Sequence, residues 1–484
     1  MKKLTDILKN TPVREVCGDT AAAIGGLVYD SRAVKPGDCF FAVPGTQSDG
    51  HDYIPMAVEK GAAAIVCERM PADAAEGVAY VLVGDSAGAM ADMAAAFYDY
   101  PSRELKLVGI TGTNGKTTTA TLLYDLVRAM GYKAGLISTV VYKIDGREVE
   151  ATHTTPDSIR LNAMMREMAD AGCAYCFMEC SSHAIVQERT RGLDFAGGIF
   201  SNITHDHLDY HKTFAEYIRA KKLFFDGLPK GAFALTNADD RNGRVMVQNT
   251  AAAVSAYSLR AMADFRCKIV EMHLDGMLLR IDGQELWVGL LGRFNAYNLL
   301  AVYGAAVLLG LDRGEVLRVL SMLHAVSGRF EKIRAANGTT AIVDYAHTPD
   351  ALENVIQTIE EIRTLGQQLI VVCGCGGDRD RTKRPEMAAI AVKYATTAVF
   401  TSDNPRHESP EAILDDMVAG LEPGARYLRI ADRAEAIRTA VMLSRPGDII
   451  LVAGKGHETY QIVGDVKHPF DDREEIKKRF ALLN

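Results

Sequence analysis

The sequence predicts an α/β protein of three domains, and three observations support this prediction. The chain has 484 residues, a length that exceeds one hydrophobic core and favours about three domains. Short apolar runs alternate with helix-like segments over most of the chain, as expected of βαβ units. One of these runs is followed directly by a Gly-Lys-Thr loop, which is typical of phosphate-binding α/β domains.

Composition narrows the class of protein. Hydrophobic residues make up 48% and charged residues 24% of the chain, as in an ordinary soluble globular protein. The net charge of −8 disfavours nucleic acid and anionic membranes as partners, so local clusters of Arg and Lys would have to bind any anionic substrate. No apolar stretch is long enough to span a membrane, and the first residues turn polar too early for a signal peptide. Nine cysteines, an odd number, suit a reducing cytoplasm, which is the expected location.

The N-terminal domain is predicted to cover residues 1–100. β-rich pieces at residues 39–43 and 63–66 precede an alanine-rich helical stretch at residues 87–98. Pro101 and Ser102 then interrupt the pattern, and we place the first domain boundary there.

Two further α/β domains are predicted, a central one at residues 101–328 and a C-terminal one at residues 329–484. In the central domain, buried strands are expected at residues 107–110, 177–179 and 198–203. In the C-terminal domain, strands at residues 340–343, 369–372, 397–401 and 448–452 alternate with helices, as in a dinucleotide-type fold.

The clearest functional motif is the phosphate loop, residues 112–118, which follows the strand at residues 107–110. Its members are Gly112, Thr113, Asn114, Gly115, Lys116, Thr117 and Thr118. Glycines let backbone N–H groups converge on phosphate oxygens, and the following helix adds partial positive charge. Lys116 is expected to reach the phosphates and Thr117 to hold Mg²⁺. Ile110 stands where the usual pattern has glycine, and the alternative is a glycine turn that enters an ordinary helix.

Glu179 ends a buried apolar run, at the strand terminus where ligands gather in open α/β sheets. A second Mg²⁺ ligand or a water-positioning group is the functional interpretation, and a helix-capping carboxylate is the alternative. Cys173, Cys176 and Cys180 surround the same run, where buried thiols behave as small hydrophobic groups, so we do not expect a metal–thiolate site.

Residues 202–211 are rich in histidine and aspartate and follow another predicted strand. The alternative to a functional role is a capped helix start with surface histidines. An amphipathic helix at residues 217–224 carries Lys221 and Lys222, which the pattern alone would place in solvent.

Taken in order, these motifs resemble those of the Mur ligases. The phosphate loop, Glu179-Cys180-Ser181-Ser182-His183, Asp206-His207-Leu208-Asp209-Tyr210-His211 and Ala220-Lys221 all match, and further matches follow at residues 292–298, 328–331 and 344–349. The family consists of ATP-dependent ligases that extend the peptide stem of the cell-wall precursor. The resemblance therefore implies a uridine-nucleotide domain, an ATP-binding domain and an amino-acid-binding domain, in that order.

The resemblance also implies an ATP and metal site. Catalytic roles fall on Lys116, Glu179, His207 and Lys221. The metal set is Thr117, Glu179, His207 and Lys221, with Mg²⁺ as the ion and a CO₂-derived carbamate on Lys221. Beyond the phosphate loop, ATP contacts are implied for Asn295, Asn298, Arg329 and Asp344. Lys222 lacks the family match and is expected to face solvent.

Two substrate sets are implied as well. The muramoyl-dipeptide set is Ser31, Thr46, Gln47, Ser48, Thr154, Thr155, Ser181, Gln187 and Arg189. The amino-acid set is Arg379, Asp403, Asn404, Pro405, Arg406, Gly454 and Glu458, and the tetrapeptide at residues 403–406 resembles that of diaminopimelate-adding members. Arginine suits this role because its planar guanidinium grips a carboxylate through two hydrogen bonds.

The implied reaction joins meso-diaminopimelate to the D-glutamate carboxylate of the UDP-muramoyl-dipeptide through an acyl phosphate. The C-terminal domain is expected to close over ATP, and the chain is expected to be a monomer. A lysine-adding or folate-directed relative, a P-loop ATPase or kinase, and an inactive nucleotide-binding scaffold are the alternatives. The glycines at residues 374–377 favour an NAD site only weakly, because no clear helix start follows them.

Overall fold

Three large β-sheets, one after another along the chain, organise the fold. The computed structural model describes residues 1–45, 48–204, 206 and 208–483, without the side chains of Leu208 and Asp209. Each large sheet carries helices packed against it, so the predicted α/β class is confirmed. Within the described residues, no helix combines the length and apolar character needed to cross a bilayer.

The N-terminal unit is built on a five-stranded sheet in the order β2-β7-β6-β5-β4. Only β2 runs antiparallel to its neighbour, and β1 and β3 form a separate ribbon. The strands are β1 (Lys2–Lys3), β2 (Val13–Cys17), β3 (Ala23–Ile24), β4 (Leu27–Val28), β5 (Cys39–Phe41), β6 (Ala64–Cys67) and β7 (Ala79–Val83). The α-helices are α1 (Leu4–Ile7), α2 (Ile54–Glu59) and α3 (Ser86–Phe97). Short 3₁₀ turns lie at Ser31–Ala33, Gly50–Tyr53 and Pro101–Glu104.

The central unit is built on an eleven-stranded sheet in the order β11-β10-β9-β12-β8-β13-β14-β15-β16-β17-β18. The strands are β8 (Lys106–Thr111), β9 (Ala134–Ile137), β10 (Val141–Ile144), β11 (Arg147–Glu150), β12 (Tyr175–Glu179), β13 (Gly197–Phe200), β14 (Phe233–Asn237), β15 (Ala253–Ser258), β16 (Phe265–His273), β17 (Gly276–Ile281) and β18 (Gln284–Val288). The helices are α4 (Lys116–Ala129), α5 (Ser158–Asp170), α6 (Ser182–Val186), α7 (Leu208–His211), α8 (Phe214–Asp226), α9 (Gly243–Val247), α10 (Arg293–Leu308) and α11 (Arg313–Leu320).

The middle of this sheet is parallel, and β8 lies between β12 and β13. The chain leaves β8 toward one side of the sheet and later returns on the other side, so β8 marks a switch in strand order. Ligands bind in the crevice at the carboxyl ends of the strands at such a switch. The phosphate loop follows β8 and lies at this position.

Two glycines bring α8 close to the sheet. A Cβ atom on Gly109 would lie 2.5 Å from the Phe224 ring, and one on Gly198 would lie 2.7 Å from the same ring. Because neither strand has a side chain at these positions, Phe224 packs directly onto the backbone. The close packing places Lys221, on the preceding turn of α8, beside the phosphate loop.

The C-terminal unit is built on a six-stranded sheet in the order β19-β20-β24-β21-β22-β23, parallel except at β19. The strands are β19 (Glu331–Arg334), β20 (Thr340–Asp344), β21 (Leu369–Cys373), β22 (Thr397–Phe400), β23 (Tyr427–Arg429), β24 (Ile449–Ala453) and the hairpin β25 (Tyr460–Val463) and β26 (Val466–Pro469). The helices are α12 (Pro349–Ile362), α13 (Lys383–Tyr394), α14 (Pro410–Val418), α15 (Arg433–Leu443) and α16 (Asp472–Phe480).

The predicted strand at residues 198–203 is the main local error, because β13 ends at Phe200. The chain leaves the sheet at Ser201, whose hydroxyl donates to the Asn114 carbonyl at 2.6 Å. Polar contacts with the phosphate loop therefore replace the strand pairing there. The cysteine prediction is confirmed in its packing: Cys173, Cys176 and Cys180 are buried, and burial raises the pKa of each thiol.

Candidate active site

A cavity of about 510 Å³ lies at the carboxyl ends of the central strands, with one wall supplied by the C-terminal unit. Glu179 ends β12, Ser201 follows β13 and Asn237 ends β14, and all of them line it. Arg329 and Asp344 line it from the C-terminal side. The cavity therefore brings together residues of two units.

The phosphate loop is held in a conformation that requires glycine. Gly112 has a φ of 149°, and a Cβ atom there would lie 2.0 Å from the Ser201 hydroxyl. The Thr113 N–H donates to the Asn202 carbonyl at 2.8 Å, and the Asn114 N–H donates to the Asn202 side-chain oxygen at 3.0 Å. Asn202, in the segment that follows β13, thus holds the loop through two hydrogen bonds.

Lys116 folds back over this loop. Its ammonium donates to the carbonyls of Gly112 and Thr113 at 2.9 and 2.8 Å. Burial lowers the pKa of Lys116, and the carboxylates of Glu179 and Asp206 act in the opposite direction.

The hydroxyl of Thr117 contacts the C-terminal unit. It accepts a hydrogen bond from the Arg329 guanidinium at 3.1 Å. The same guanidinium lies over the Tyr345 ring, 4.6 Å from its centroid. Thr118 is buried one residue further along and also lines the cavity.

Glu179 is buried, and one of its carboxylate oxygens accepts the Thr139 N–H at 2.7 Å. The alternative that Glu179 caps a helix is wrong. Helix α6 is capped by Ser181, whose hydroxyl oxygen accepts the Ala184 N–H at 3.2 Å. The Glu179 carboxylate instead faces the cavity.

Lys221 is a buried amine at the floor of the site. Its side chain donates to the Gly112 carbonyl at 2.8 Å and lies over the Tyr217 ring, 4.6 Å from its centroid. Lys116 donates to the same oxygen, so the two amines lie close together. Burial first, and then the Lys116 charge, lower the pKa of Lys221 well below its usual value, while Asp206 opposes the shift.

Two predictions around Lys221 have different outcomes. His207 lies outside the described residues. The expectation that Lys222 faces solvent is wrong, since its side chain is only 13% exposed and pairs with Asp226 at 2.5 Å. The i,i+4 ion pair holds the aliphatic stem along the surface of α8.

Three of the predicted ATP contacts lie at the cavity wall. Asn298 and Asp344 line the cavity, and Asn295 lies behind Asn298. Asn298 lines the cavity, and its amide donates to the Asn295 side-chain oxygen at 3.2 Å. Asn295 is thus a second layer, anchored to the Leu291 carbonyl. Asp344 accepts the Phe330 N–H at 2.7 Å, and burial raises its pKa to about 6 against the opposing charge of Arg329.

The predicted dipeptide residues of the central unit form one connected network. Arg189 donates to the Thr155 carbonyl at 2.6 Å and to the Gln187 side-chain oxygen at 2.6 Å. The Thr155 hydroxyl donates to the Glu179 carbonyl and accepts the Ser181 N–H. Thr154 accepts the Thr139 hydroxyl and, with Ser181, lines the cavity.

The N-terminal unit meets this network near Tyr29. Burial raises the pKa of Tyr29, Asp157 raises it further, and Arg189 opposes the shift, so these groups lie within electrostatic range. Ser31, two residues later, is buried in a 3₁₀ turn, whereas Ser48 is exposed. Thr46 and Gln47 lie outside the described residues.

The amino-acid set is brought together in the C-terminal unit. A Cβ atom on Gly376 would lie 2.9 Å from the Arg406 guanidinium and 3.7 Å from the Arg379 side chain, so these arginines are neighbours. The Asn404 amide donates to the Glu458 carboxylate at 2.9 Å. Every predicted member lies on the loops after β21, β22 and β24, and the fully described set comprises Arg379, Asp403, Asn404, Pro405, Arg406, Gly454 and Glu458.

These loops adjoin the cavity without lining it. The rings of Tyr345, on the cavity wall, and His457, beside Glu458, are 5.1 Å apart. A Cβ atom on Gly328 would lie 2.0 Å from the backbone nitrogen of His457. The chain between the central and C-terminal units therefore also contacts the loop after β24.

Two residues of the site have no role in the sequence prediction. Lys455 is fully buried, and its ammonium donates to the side chains of Asn404 at 3.1 Å and Glu458 at 2.9 Å. Asp350 accepts the Asn114 amide at 3.0 Å and so links α12 to the phosphate loop. Both lie inside or beside matched motifs, but only the folded chain shows their partners.

Three family models match the chain in this order. They are described as Mur ligase family, catalytic domain, at residues 23–98; Mur ligase middle domain, at residues 110–306; and Mur ligase, glutamate ligase domain, at residues 328–456. The chain belongs to the Mur ligase family. It is an ATP-dependent ligase that forms amide bonds.

Curated relatives match over nearly the whole length. A protein of Phocaeicola vulgatus is 55% identical over 99% of both chains, and one of Geobacillus thermodenitrificans is 44% identical over 97% of this chain and 98% of its own. Both are named UDP-N-acetylmuramoyl-L-alanyl-D-glutamate–2,6-diaminopimelate ligase.

Solved structures agree with the fold. A structure described with the same ligase name is 31% identical, with a TM-score of 0.71 over 100% of this chain and 99% of that chain. The MurF ligase of Thermotoga maritima, solved in complex with ADP, has a TM-score of 0.63 at 18% identity and covers 95% of this chain and 97% of that chain. The latter likeness concerns the fold alone.

Proposed function

We propose that this chain joins meso-2,6-diaminopimelate to the D-glutamate carboxylate of UDP-N-acetylmuramoyl-L-alanyl-D-glutamate, while ATP is converted to ADP and phosphate. The observation that carries the proposal is the grouping of Arg406 and Arg379 around Gly376, with Glu458 on the facing loop. The names of the relatives support the same substrates.

The charges of this group match the amino acid. Diaminopimelate carries a distal carboxylate as well as a distal ammonium, whereas lysine carries only the ammonium. Arg406 and Arg379 supply guanidinium groups for the carboxylate, and Glu458 supplies a carboxylate for an ammonium. The buried ammonium of Lys455 donates hydrogen bonds to Glu458 and Asn404 and so holds both side chains in place.

The chemistry requires activation, because a carboxylate is a poor acyl donor. Transfer of the γ-phosphoryl group of ATP to the D-glutamate carboxylate forms an acyl phosphate and releases ADP. The amine of diaminopimelate then attacks the acyl carbon, the C–N bond forms, and phosphate and a proton leave. Such a reaction depends on positioning and on charge neutralisation.

ATP is proposed to lie along the phosphate loop, residues 112–118. Lys116 and Arg329 are the cations that meet the phosphates, and their contacts on Gly112 and Thr117 show that both reach this loop. Asn298, supported by Asn295, and Asp344 are assigned to the rest of the nucleotide. The Arg329 contact with Thr117 supports a closed arrangement of the two units over ATP.

The donor set fits Mg²⁺, which prefers oxygen ligands. Thr117 and Glu179 supply a hydroxyl and a carboxylate on the same cavity, and His207 is assigned to the set by the family match alone. When bound, Mg²⁺ neutralises charge on the transferred phosphoryl group. Lys221 fits as a carbamate, because its lowered pKa favours the neutral amine whose lone pair attacks CO₂ with loss of a proton.

The UDP-muramoyl-dipeptide is assigned to the end of the cavity opposite the one assigned to ATP. Thr154, Thr155, Ser181, Gln187 and Arg189 form a network beside Glu179, which would bring the glutamate carboxylate to the metal side. The uridine end is assigned to Ser31, Thr46, Gln47 and Ser48 of the N-terminal unit.

We further propose domain limits at residues 1–100, 101–328 and 329–484, a monomer as the active form, and the bacterial cytoplasm as the location. The nine cysteines are free thiols, which suits a reducing compartment.

The deciding experiment is a competition between amino acids. Purified protein is given ATP, Mg²⁺ and the UDP-muramoyl-dipeptide, with either meso-diaminopimelate or L-lysine, and the product is identified by mass. Diaminopimelate is expected to be the preferred amine. Equal or better use of lysine would contradict the specificity, and phosphate release that needs no amine would favour an ATPase or kinase instead.

A further inference from the structure

Arg433 and Asp472 form a buried ion pair, and both side chains are 0% exposed. The pair lies next to the loops that follow β22 and β24, which carry residues 403–406 and 454–458 and are called the amino-acid loops below. The guanidinium donates to the two carboxylate oxygens at 2.7 and 2.8 Å. Arg433 is the first residue of α15 and Asp472 the first of α16, so the pair joins two helices. Burial of two charges away from water is unfavourable unless the N–H groups of the arginine that the carboxylate leaves unpaired also find acceptors.

The remaining N–H groups of Arg433 point to the amino-acid loops. They donate to the Ser402 carbonyl at 3.3 Å and to the Ala453 carbonyl at 3.1 Å. Ser402 immediately precedes the 403–406 tetrapeptide, and Ala453 immediately precedes the loop at residues 454–458. One guanidinium therefore contacts the roots of both loops.

The sheet alone does not join these two loops. Strand β21 lies between β22 and β24, so the ends of β22 and β24 are separated by two strand spacings, roughly 9–10 Å. The guanidinium crosses the end of β21 and connects the two outer strands. Its planar fork has donors on several sides and reaches acceptors in different directions, unlike a single ammonium.

The two loops pack closely against each other. A Cβ atom on Gly454 would lie 2.5 Å from the Asp403 carboxylate, so the loops already touch at a glycine. Across the same gap, Asn404 donates to Glu458. Within the loops, Lys455 donates to Asn404 and Glu458, whereas Arg433 contacts the backbone at the start of both loops.

We propose that Arg433, neutralised by Asp472, is a positioning residue that sets the distance between the guanidinium of Arg406 and the carboxylate of Glu458. It acts through the two loops, because its buried side chain does not reach the amino acid. This inference rests on the proposed function and adds to it the support on which amino-acid selection depends.

The test is steady-state kinetics of full-length variants. Arg433→Lys retains the positive charge but loses the planar guanidinium with its several donors. We expect the KM for diaminopimelate to rise about tenfold, while the KM for ATP stays within about twofold of wild type. The second variant, Arg433→Met with Asp472→Leu, replaces the pair by apolar side chains, a change that folded proteins often tolerate. It is expected to melt near the wild-type temperature and to show the same selective rise in KM.

The matched control is the exposed pair on the same helix, Arg438 and Glu435, which are 2.8 Å apart. Arg438→Met with Glu435→Leu is expected to leave both KM values unchanged. A folded Met/Leu variant at positions 433 and 472 with a wild-type KM for diaminopimelate would overturn the inference, as would equal rises for both substrates. Wild-type protein that does not use diaminopimelate would instead contradict the proposed function, and the inference with it.

Discussion

At the scale of single residues, Lys221 is the most unusual group in the site. It is a buried lysine close to a second lysine, and it donates to the same Gly112 oxygen as Lys116. Burial and a like charge both disfavour an ammonium here. A carbamate would replace this cation with an anion and relieve the repulsion between the two side chains.

Lys221→Ala is therefore expected to lower turnover by on the order of 100-fold, because an oxygen ligand and its charge are lost. Acetate or another small carboxylate is expected to restore part of the activity, measured as phosphate release at rising acetate concentration. Lys222→Ala, on the same helix but paired with Asp226, is the control and should retain activity. Wild-type turnover in Lys221→Ala would remove the carbamate from the proposal.

Arg406 is expected to act on the amino acid alone. Arg406→Ala should raise the KM for diaminopimelate by about tenfold or more, since a charged two-point contact is lost, and leave the KM for ATP nearly unchanged. Arg381→Ala, an exposed arginine paired with Asp416, serves as the control. Equal effects of Arg406→Ala on both substrates would place Arg406 outside the amino-acid site.

Asp344 gives a pH prediction. Its pKa is raised to about 6 in the folded protein, against about 4 in an unfolded chain. The folded state therefore binds this proton more tightly, and the resulting stability is present below about pH 4 and lost as the pH rises through about 6.

Asp344→Asn, which retains an oxygen to accept the Phe330 N–H, removes this dependence. Its melting temperature relative to wild type is expected to increase between pH 4 and pH 7, by several degrees in total. Asp6→Asn, at an exposed carboxylate that pairs with Lys9, is the control variant measured over the same range. A constant difference for Asp344→Asn would show that the carboxylate carries no such penalty.

At the scale of elements, strand and helix starts explain where the functional groups lie. Short apolar runs form the buried parallel strands β8, β12, β20 and β24, and each is followed at its carboxyl end by a polar residue or a glycine loop. Helix caps then fix the next turn. The Thr348 hydroxyl oxygen accepts the Ala351 N–H at 3.3 Å and caps α12, the helix that presents Asp350 to the phosphate loop.

Thr348→Ala is expected to weaken the first turn of α12 by about 1 kcal/mol, because a helix donor loses its acceptor. Hydrogen exchange of the amides in that turn should accelerate about fivefold, as measured by mass spectrometry of peptides from the native protein. Thr348→Ser retains the hydroxyl and should exchange like wild type. Unchanged exchange in Thr348→Ala would mean that another contact holds the turn.

At the scale of the whole molecule, the central and C-terminal units meet across the cavity that both of them line. Asp350 accepts hydrogen bonds from Asn114 at 3.0 Å and from the Thr204 hydroxyl at 3.3 Å. Arg329 reaches Thr117 from the same side. These contacts connect the C-terminal unit to the loop at residues 112–118, so we expect closure of the two units to assemble the site.

Asp350→Ala is expected to open this arrangement, since it removes the acceptor shared by Asn114 and Thr204. Solution scattering should show a larger radius of gyration than for wild type, and kcat/KM for ATP should fall by on the order of 10- to 100-fold. Glu353→Ala is the matched control on the same helix, because Glu353 pairs with Tyr394 inside the C-terminal unit. Wild-type scattering and kinetics in Asp350→Ala would argue against this contact as a latch.

Local sequence was sufficient for the α/β class, the buried strands at residues 107–110 and 177–179, the glycine loop at residues 112–118 and the location of Glu179 at a strand end. Each of these depends on short-range features, namely apolar runs, glycines and residue types within a few positions. The family motifs added the substrate sets, which remain predictions residue by residue. The strand at residues 198–203 was overextended, because Ser201 bonds to a loop almost ninety positions earlier in the chain.

Only the tertiary structure decided which distant groups meet. Lys116 and Lys221 share one carbonyl, Asn114 reaches Asp350, and Arg433 spans two strands to the roots of the amino-acid loops. None of these contacts has a local pattern, because each depends on how packed strands and helices bring remote backbone atoms within about 3 Å. The sequence alone thus determined the chemistry available to this ligase, and packing determined which groups carry it out together.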